Sequence, residues 1–190
     1  MRKLVVLIFV GVLTAGMTFA QVPVPTSGNV FFGYSYYNTP LGVNRQSLNG
    51  WQGSVEGKVL PFIGIVGDFS ANYGNINFPA VCSLPPCPVS LSVNSHVDNL
   101  LFGPRVSVPI SGVRPFAEAL FGFGHVSTRG GGNDTSFATG VGGGIDIRLL
   151  RILAWRFQGD YIHTDLFDTP QNFDTPQNNV RLATGLVLRF

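Results

Sequence analysis

The chain has 190 residues, 45% hydrophobic and only 12% charged, with 24 Gly, 16 Phe and a formal net charge of +2. So apolar a composition excludes a disordered chain, and so few ionic groups exclude a nucleic-acid-binding protein, which needs basic side chains to neutralise phosphates. The length suits one domain.

Arg2 and Lys3 precede an apolar run from Leu4 to Val12, and smaller residues then lead to Thr18-Phe19-Ala20. This is the order of n-region, h-region and cleavage site in a secretory signal peptide, and the run is too short for a membrane-spanning helix. Residues 1–20 are expected to be a cleaved signal peptide and 21–28 an N-terminal lead to a domain at 29–190. Cleavage after Ala20 removes two of the 12 bases, leaving ten against 10 acids and no net charge. With no Cys near that site, a lipid-anchored product is not expected.

Beyond Gln21 no segment carries a long helical period, whereas period-two alternation recurs between turn signals. Strands are expected near 29–37, 50–60, 62–74, 93–107, 113–127, 136–148, 151–164 and 179–190. The connections alternate long and short: 38–49, Pro61, 75–92, Pro109–Gly112, 128–135, Leu149–Leu150 and 165–178. The second long one holds Cys82 and Cys87, a close pair that in an exported chain predicts a loop-closing disulfide, because two soft ligands do not complete a metal shell. Pro104 removes a ladder donor, so a bulge or an early end is expected in the fourth strand.

One face of these strands is apolar throughout, from Val30, Phe32 and Tyr34 through Trp51, Ile65, Leu100, Phe121 and Val141 to Trp155, Leu186 and Leu188. The other carries five acids and five bases among many glycines: Glu56, Lys58, Asp68, Arg105, Glu118, Asp146, Arg156, Asp160, Arg181 and Arg189. In a soluble barrel the charged face would meet water, but here it is the glycine-rich face, suited to a narrow interior. The broad aromatic face then meets lipid. A closed barrel satisfies every backbone hydrogen bond in hydrocarbon and needs only about 9–11 tilted residues per strand. The fold class expected is therefore all-β: an eight-stranded antiparallel transmembrane β-barrel with short periplasmic turns and long outer loops. Tyr34, Tyr36, Trp51, Tyr73 and Tyr161 fall near the outer strand ends, as an interfacial girdle does.

The segment Ala183-Thr184-Gly185-Leu186-Val187-Leu188-Arg189-Phe190 resembles the terminal strand signal of outer-membrane β-barrels in Gly185, Leu188 and Phe190, although Ala183 stands where a polar residue is usual. With the signal peptide and strand map, the chain resembles small OmpA-like or porin-like outer-membrane barrels over nearly all of 29–190. The resemblance implies insertion by the barrel-assembly machinery, outer-membrane lipids as surroundings and a place in the outer membrane. It implies a monomer with no cofactor and no bound metal. With no second domain expected after Phe190, no peptidoglycan-binding domain and no direct wall tether are expected.

Eight strands leave an interior that side chains fill, so a general diffusion pore is not expected. A two-residue hairpin at Ser111-Gly112 sets Ile110 opposite Val113 and, counting back, Arg105 opposite Glu118. A lumenal ion pair is expected there, with the other eight inward charges extending the network. Two roles remain open for it: a plug that fixes register, or a narrow gated path for ions.

His125-Val126-Ser127 resembles the His-x-Ser pair of outer-membrane lipid A deacylases, but Thr128-Arg129-Gly130 follows where Asn-Ala-Gly is usual, and no catalytic residue is assigned. His96 with Asp98 and His163 with Asp165 offer too few ligands for a metal site. The hexapeptide Phe167-Asp168-Thr169-Pro170-Gln171-Asn172 is repeated at Phe173-Asp174-Thr175-Pro176-Gln177-Asn178. Outer loops tolerate such duplications without a role, and the alternative is an epitope for an extracellular ligand. The expected function is non-enzymatic, structural or surface-interacting through the outer loops; the alternatives are a gated channel and a lipid-modifying enzyme.

Overall fold

The computed structural model describes residues 27–40, 45–79, 90–129, 132–166 and 177–190. The expected signal peptide, the Cys82–Cys87 pair and residues 167–176 of the tandem repeat lie outside them. Eight strands follow in order: β1 (Gly28–Thr39), β2 (Gln46–Lys58), β3 (Ile63–Pro79), β4 (Ser90–Ser107), β5 (Val113–Thr128), β6 (Gly132–Arg148), β7 (Leu153–Thr164) and β8 (Gln177–Arg189). Each pairs antiparallel with its sequence neighbour, and β8 pairs with β1, so the sheet is a closed barrel with no free edge. The all-β, eight-stranded reading thus holds.

At one end the strands join through short turns at 59–62, 108–112 and 149–152. The middle one is a hairpin in which Ile110 and Val113 exchange backbone hydrogen bonds of 2.7 and 2.9 Å. Its two central residues, Ser111 and Gly112, lie at φ 37° and 101°, the left-handed pair that a two-residue hairpin requires and that Gly112 adopts without strain.

At the loop end the strands run further than expected, β3 and β4 to 17 and 18 residues against 12 for β1 and β7. About ten residues suffice to cross a bilayer, so the β3–β6 wall stands above the rest. The alternation of Asn75-Ile76-Asn77-Phe78 with Ser90-Leu91-Ser92-Val93 continues the two strands here, but each stretch is short and stands beside the Cys- and Pro-containing connection. That is why they read as loop in the sequence.

Pro104 neither bulges nor ends its strand. Phe102 faces Phe121 and Arg105 faces Glu118 in one unbroken register, with no β5 partners recorded for Gly103 and Pro104 between them, while Pro104 keeps its place opposite Ile65 of β3. The missing N–H is lost locally, and pairing on both flanks carries the strand through.

The outward faces match the alternation. Phe32, Val141 and Leu100 are 64%, 60% and 57% exposed, and they belong to a belt of large apolar side chains around the whole wall. Such a belt far exceeds what a water-soluble monomer exposes. Across strands its aromatics pack in pairs, Trp51 with Phe69 at 5.3 Å and Phe102 with Phe121 at 4.3 Å. Trp155 donates its indole N–H to Thr184 Oγ1 at 2.8 Å.

Candidate functional site: the lumen and the outer rim

Inward-facing positions of β2, β3, β4, β5, β6, β7 and β8 bring their charges into one connected system. Arg105 lies opposite Glu118, its Nε and Nη2 at 2.7 and 2.6 Å from Glu118 Oε2, and its Nη1 reaches Glu56 at 3.3 Å. Glu56 also meets Lys58 at 2.7 Å and accepts the Asn29 amide at 2.7 Å. Arg156 holds Asp146 through two bonds of 2.7 and 3.1 Å, with Arg189 at 3.5 Å from the same carboxylate. Deeper in, Arg181 sits between Asp68 at 2.6 Å and Asp160 at 2.8 Å. Gln158 joins the clusters by donating to Glu118 at 2.8 Å and to Asp160 at 3.0 Å, and Gln52 donates to Asp68. Three of the arginines, Arg105, Arg156 and Arg181, are fully buried, which only opposite charge and hydrogen bonding make tolerable.

The ten sequence-assigned inward charges therefore all enter the lumen. An eleventh, Arg114, joins them at 3.4 Å from Glu56 and 2.8 Å from Ser107 Oγ. It shares parity with Glu118, but its place one residue after the strand start hid it beside the turn. Two inward aromatics were also missed. Phe116 lies within cation–π distance of two guanidiniums, 4.5 Å from Arg105 and 4.6 Å from Arg156, and Phe31 lies 5.1 Å from Arg156. Each of these two cations thus has at least one aromatic face beside it.

The sequence reading left the inner face to charges, small polar residues and glycine. Toward the loop end it also carries an apolar cluster, interleaved with buried Asn72, Asn99, Thr164 and Asn179: Tyr37 lies opposite Leu48, Val97 opposite Val126, and Ile76, Ile162 and Leu166 join them, all buried. Leu166 comes from the segment after β7 and folds over this end, its carbonyl accepting the Gln177 amide at 2.6 Å. Here both faces of the strands are apolar, one toward the belt and one toward the lumen, so alternation did not mark the inner set.

Outside, the belt ends sharply at the loop end. Leu100, Phe123 and Phe137 form one cross-strand row, and the next row is Asp98, His125 and Thr135. All three histidines of the chain occupy this polar rim. His96 stacks on Tyr73 at 4.7 Å and meets Asp98 at 2.8 Å, and His163 meets Asn178 at 3.0 Å and Asp165 at 3.5 Å. His125 Nδ1 bonds Thr135 at 2.7 Å, whereas Ser127 donates to Asn133 at 2.8 Å, so each member of the His-x-Ser pair is engaged with β6. No group of three metal-ligating side chains forms among the described residues. Beside the rim, Tyr73, Asn94, His96, Ser127 and Arg129 line a shallow pocket of about 460 Å³.

The terminal signal residues lie on β8 and just past it. Gly185 faces Gly33 across the closing seam, Leu188 faces Val30 and Leu153, and Phe190 exchanges backbone hydrogen bonds with Gly28 at 2.9 and 3.1 Å.

No family model matches the chain, and no curated protein matches it in sequence. In three dimensions it resembles Neisserial surface protein A (NspA), with a TM-score of 0.65, 12% identity and coverage of 86% of this chain and 97% of that one. It also resembles Ail, the attachment invasion locus protein of Yersinia pestis, solved with the heparin analogue sucrose octasulfate (TM-score 0.56, 12% identity, 86% and 98% covered). The outer membrane protein OprG from Pseudomonas aeruginosa is a further match (TM-score 0.54, 8% identity, 88% and 97% covered). The chain has the fold of small eight-stranded outer-membrane β-barrels, OmpA-like or porin-like in type.

Proposed function

We propose that the chain is a sealed, non-enzymatic barrel of the outer membrane, its short turns in the periplasm and its loop end outside as a surface for interaction. The observation that carries this reading is the double closure of the lumen. A buried ion network fills the turn half, and the Leu48, Val97, Val126, Ile162 and Leu166 cluster fills the loop half. An ion would have to break several buried pairs and then pass the packed apolar cluster of the loop half, which opposes conduction. The fold of its structural neighbours and the lipid-facing belt support the location. The raised β3–β6 wall and the rim pocket support a role in contact outside the cell.

Planar-bilayer recording tests the seal. Neither the native protein nor Glu118→Ala is expected to give single-channel steps, because the apolar half stays shut when the network is cut. Steps in the variant alone would make the network a gate, and steps in both would overturn the sealed reading.

Although Ail is solved with a sulfated ligand, the described outer residues here carry three acids, Asp98, Asp134 and Asp165, against Arg45 and Arg129. Arg45 is engaged with Asn38 and with the Asn178 carbonyl. A polyanionic partner is therefore not favoured. Cells displaying the protein are expected to retain no more labelled heparin at low salt than cells lacking it; a salt-sensitive excess would reverse this expectation.

A further inference from the structure

The belt ends in a row of polar side chains at the loop end, but at the turn end it does not stop. It continues through the turns: Val59, Leu60 and Phe62 in the first, Val108 and Ile110 in the second, Leu149, Leu150 and Ile152 in the third, all among the exposed large apolar residues. Leu150 and Ile152 are 63% and 61% exposed, as much as any residue of the belt itself save Phe32 and Phe190.

The charged side chains within the turns and the strand ends flanking them are all basic. Stretches 57–64, 106–114 and 147–154 contain Lys58, Arg114, Arg148 and Arg151 and not one Asp or Glu. Lys58 and Arg114 are turned to Glu56 inside. Arg148 and Arg151 flank Leu149 and Leu150, are exposed, and have no side-chain hydrogen bond or ion pair among the described residues. Unpaired arginines interleaved with exposed leucine and isoleucine are what a surface lying at the headgroup boundary of an anionic membrane requires. The apolar chains enter the acyl edge, and the guanidiniums meet phosphates.

We propose that the periplasmic turns are seated in the inner leaflet and that Arg148 and Arg151 bind the headgroups of anionic phospholipids there. This rests on the outer-membrane reading above. The apolar collar needs a lipid edge and the two cations need an anion, and an anionic phospholipid supplies both on one molecule.

The test uses the full-length protein purified from membranes and reconstituted in phosphatidylcholine vesicles with spin-labelled phosphatidylglycerol or phosphatidylcholine as probe. Heat-modifiable gel migration serves as the check that the barrel has formed. The native barrel is expected to immobilise the phosphatidylglycerol probe about 25-fold more strongly at low salt, each of the two surface arginines contributing a factor of about five. The preference is expected to fall toward unity at about 0.5 M salt and in Arg148→Gln/Arg151→Gln, whose side chains hold no hydrogen bond or ion pair among the described residues, and to persist in Arg129→Gln at the opposite rim. A formed barrel with no preference, or with a preference that the double variant keeps, overturns the proposal and leaves the membrane reading standing. A protein that does not form a heat-modifiable barrel in vesicles overturns the membrane reading and this inference with it.

Discussion

Arg181→Met is expected to destabilise the barrel by about 3–5 kcal/mol, read as a lowered denaturant midpoint for the heat-modifiable form in vesicles. The guanidinium of Arg181 is fully buried and, among the described residues, is the one cation held by both Asp68 and Asp160, with Ser70 Oγ accepting a further bond at 3.0 Å. Removing it leaves two buried carboxylates, on β3 and on β7 four strands apart around the barrel, with Gln52 and Gln158 donating to them and, among the described residues, no cation within ion-pair distance. Neither can turn to water, since the barrel wall surrounds them and the apolar cluster lies above.

A buried ion network adds little net stability over a well-packed apolar interior, and the large cost comes from orphaning one sign of charge. The triple variant Arg181→Met/Asp68→Leu/Asp160→Leu is accordingly expected to recover most of the loss. Asp160→Asn, which leaves Arg181 its bond to Asp68, is expected to lose less than Arg181→Met. An Arg181→Met barrel within about 1 kcal/mol of native would mean that water reaches these carboxylates, and the closed-lumen reading would then fail.

The second large effect is expected at the seam. Gly185→Val should prevent accumulation of the folded band, with a penalty of about 3 kcal/mol or more. A Cβ at position 185 would stand 2.3 Å from the Phe32 carbonyl oxygen and 2.4 Å from Gly33 Cα. Both are backbone atoms of β1, so no rotamer change relieves the overlap, and the only escape is to part the two strands whose pairing closes the barrel. Gly67→Ala is the matched control, because Gly67 sits on the lipid-facing side of β3 with nothing within 4 Å of an added Cβ. Normal folding of Gly185→Val would show that the seam can widen, and the packing account of this glycine would be wrong.

Gly185 also illustrates how the sequence was legible. As part of a terminal signal it was recognisable from its spacing to Leu188 and Phe190; that it must be glycine follows from Gly33, 152 residues earlier in the chain and opposite it only after closure. Arg105 and Glu118 lie on either side of one two-residue hairpin, so counting back from Ser111-Gly112 was enough to set them face to face. Arg181 and Asp68 are 113 residues apart on strands that are not neighbours in the barrel wall. Their parity was readable and their partnership was not, since it depends on which side chains reach across the lumen.

The inward apolar set was hidden for a different reason. Period-two alternation reports a contrast between two environments, and where lumen and lipid both select apolar residues, as at Leu100 and Leu101 or Leu120 and Phe121, the contrast vanishes. The upper extensions of β3 and β4 were lost although Asn75-Ile76-Asn77-Phe78 and Ser90-Leu91-Ser92-Val93 alternate, because each is only four residues long and joins a connection rich in Pro. Phe116 was missed because it is apolar at a position read as polar, and only the two guanidiniums within cation–π distance of it give it a reason to be there.

By itself the sequence determined the strand count, the direction in which each residue points and the solvent on each side, because pleat geometry ties chain position to face and hydrocarbon admits almost no charge. The tertiary structure decided which charges pair across the lumen, that an apolar cluster packs into its outer half, and that Arg148 and Arg151 have no ion pair among the described residues. Those outcomes depend on distances across a closed barrel, which no local pattern in the chain contains.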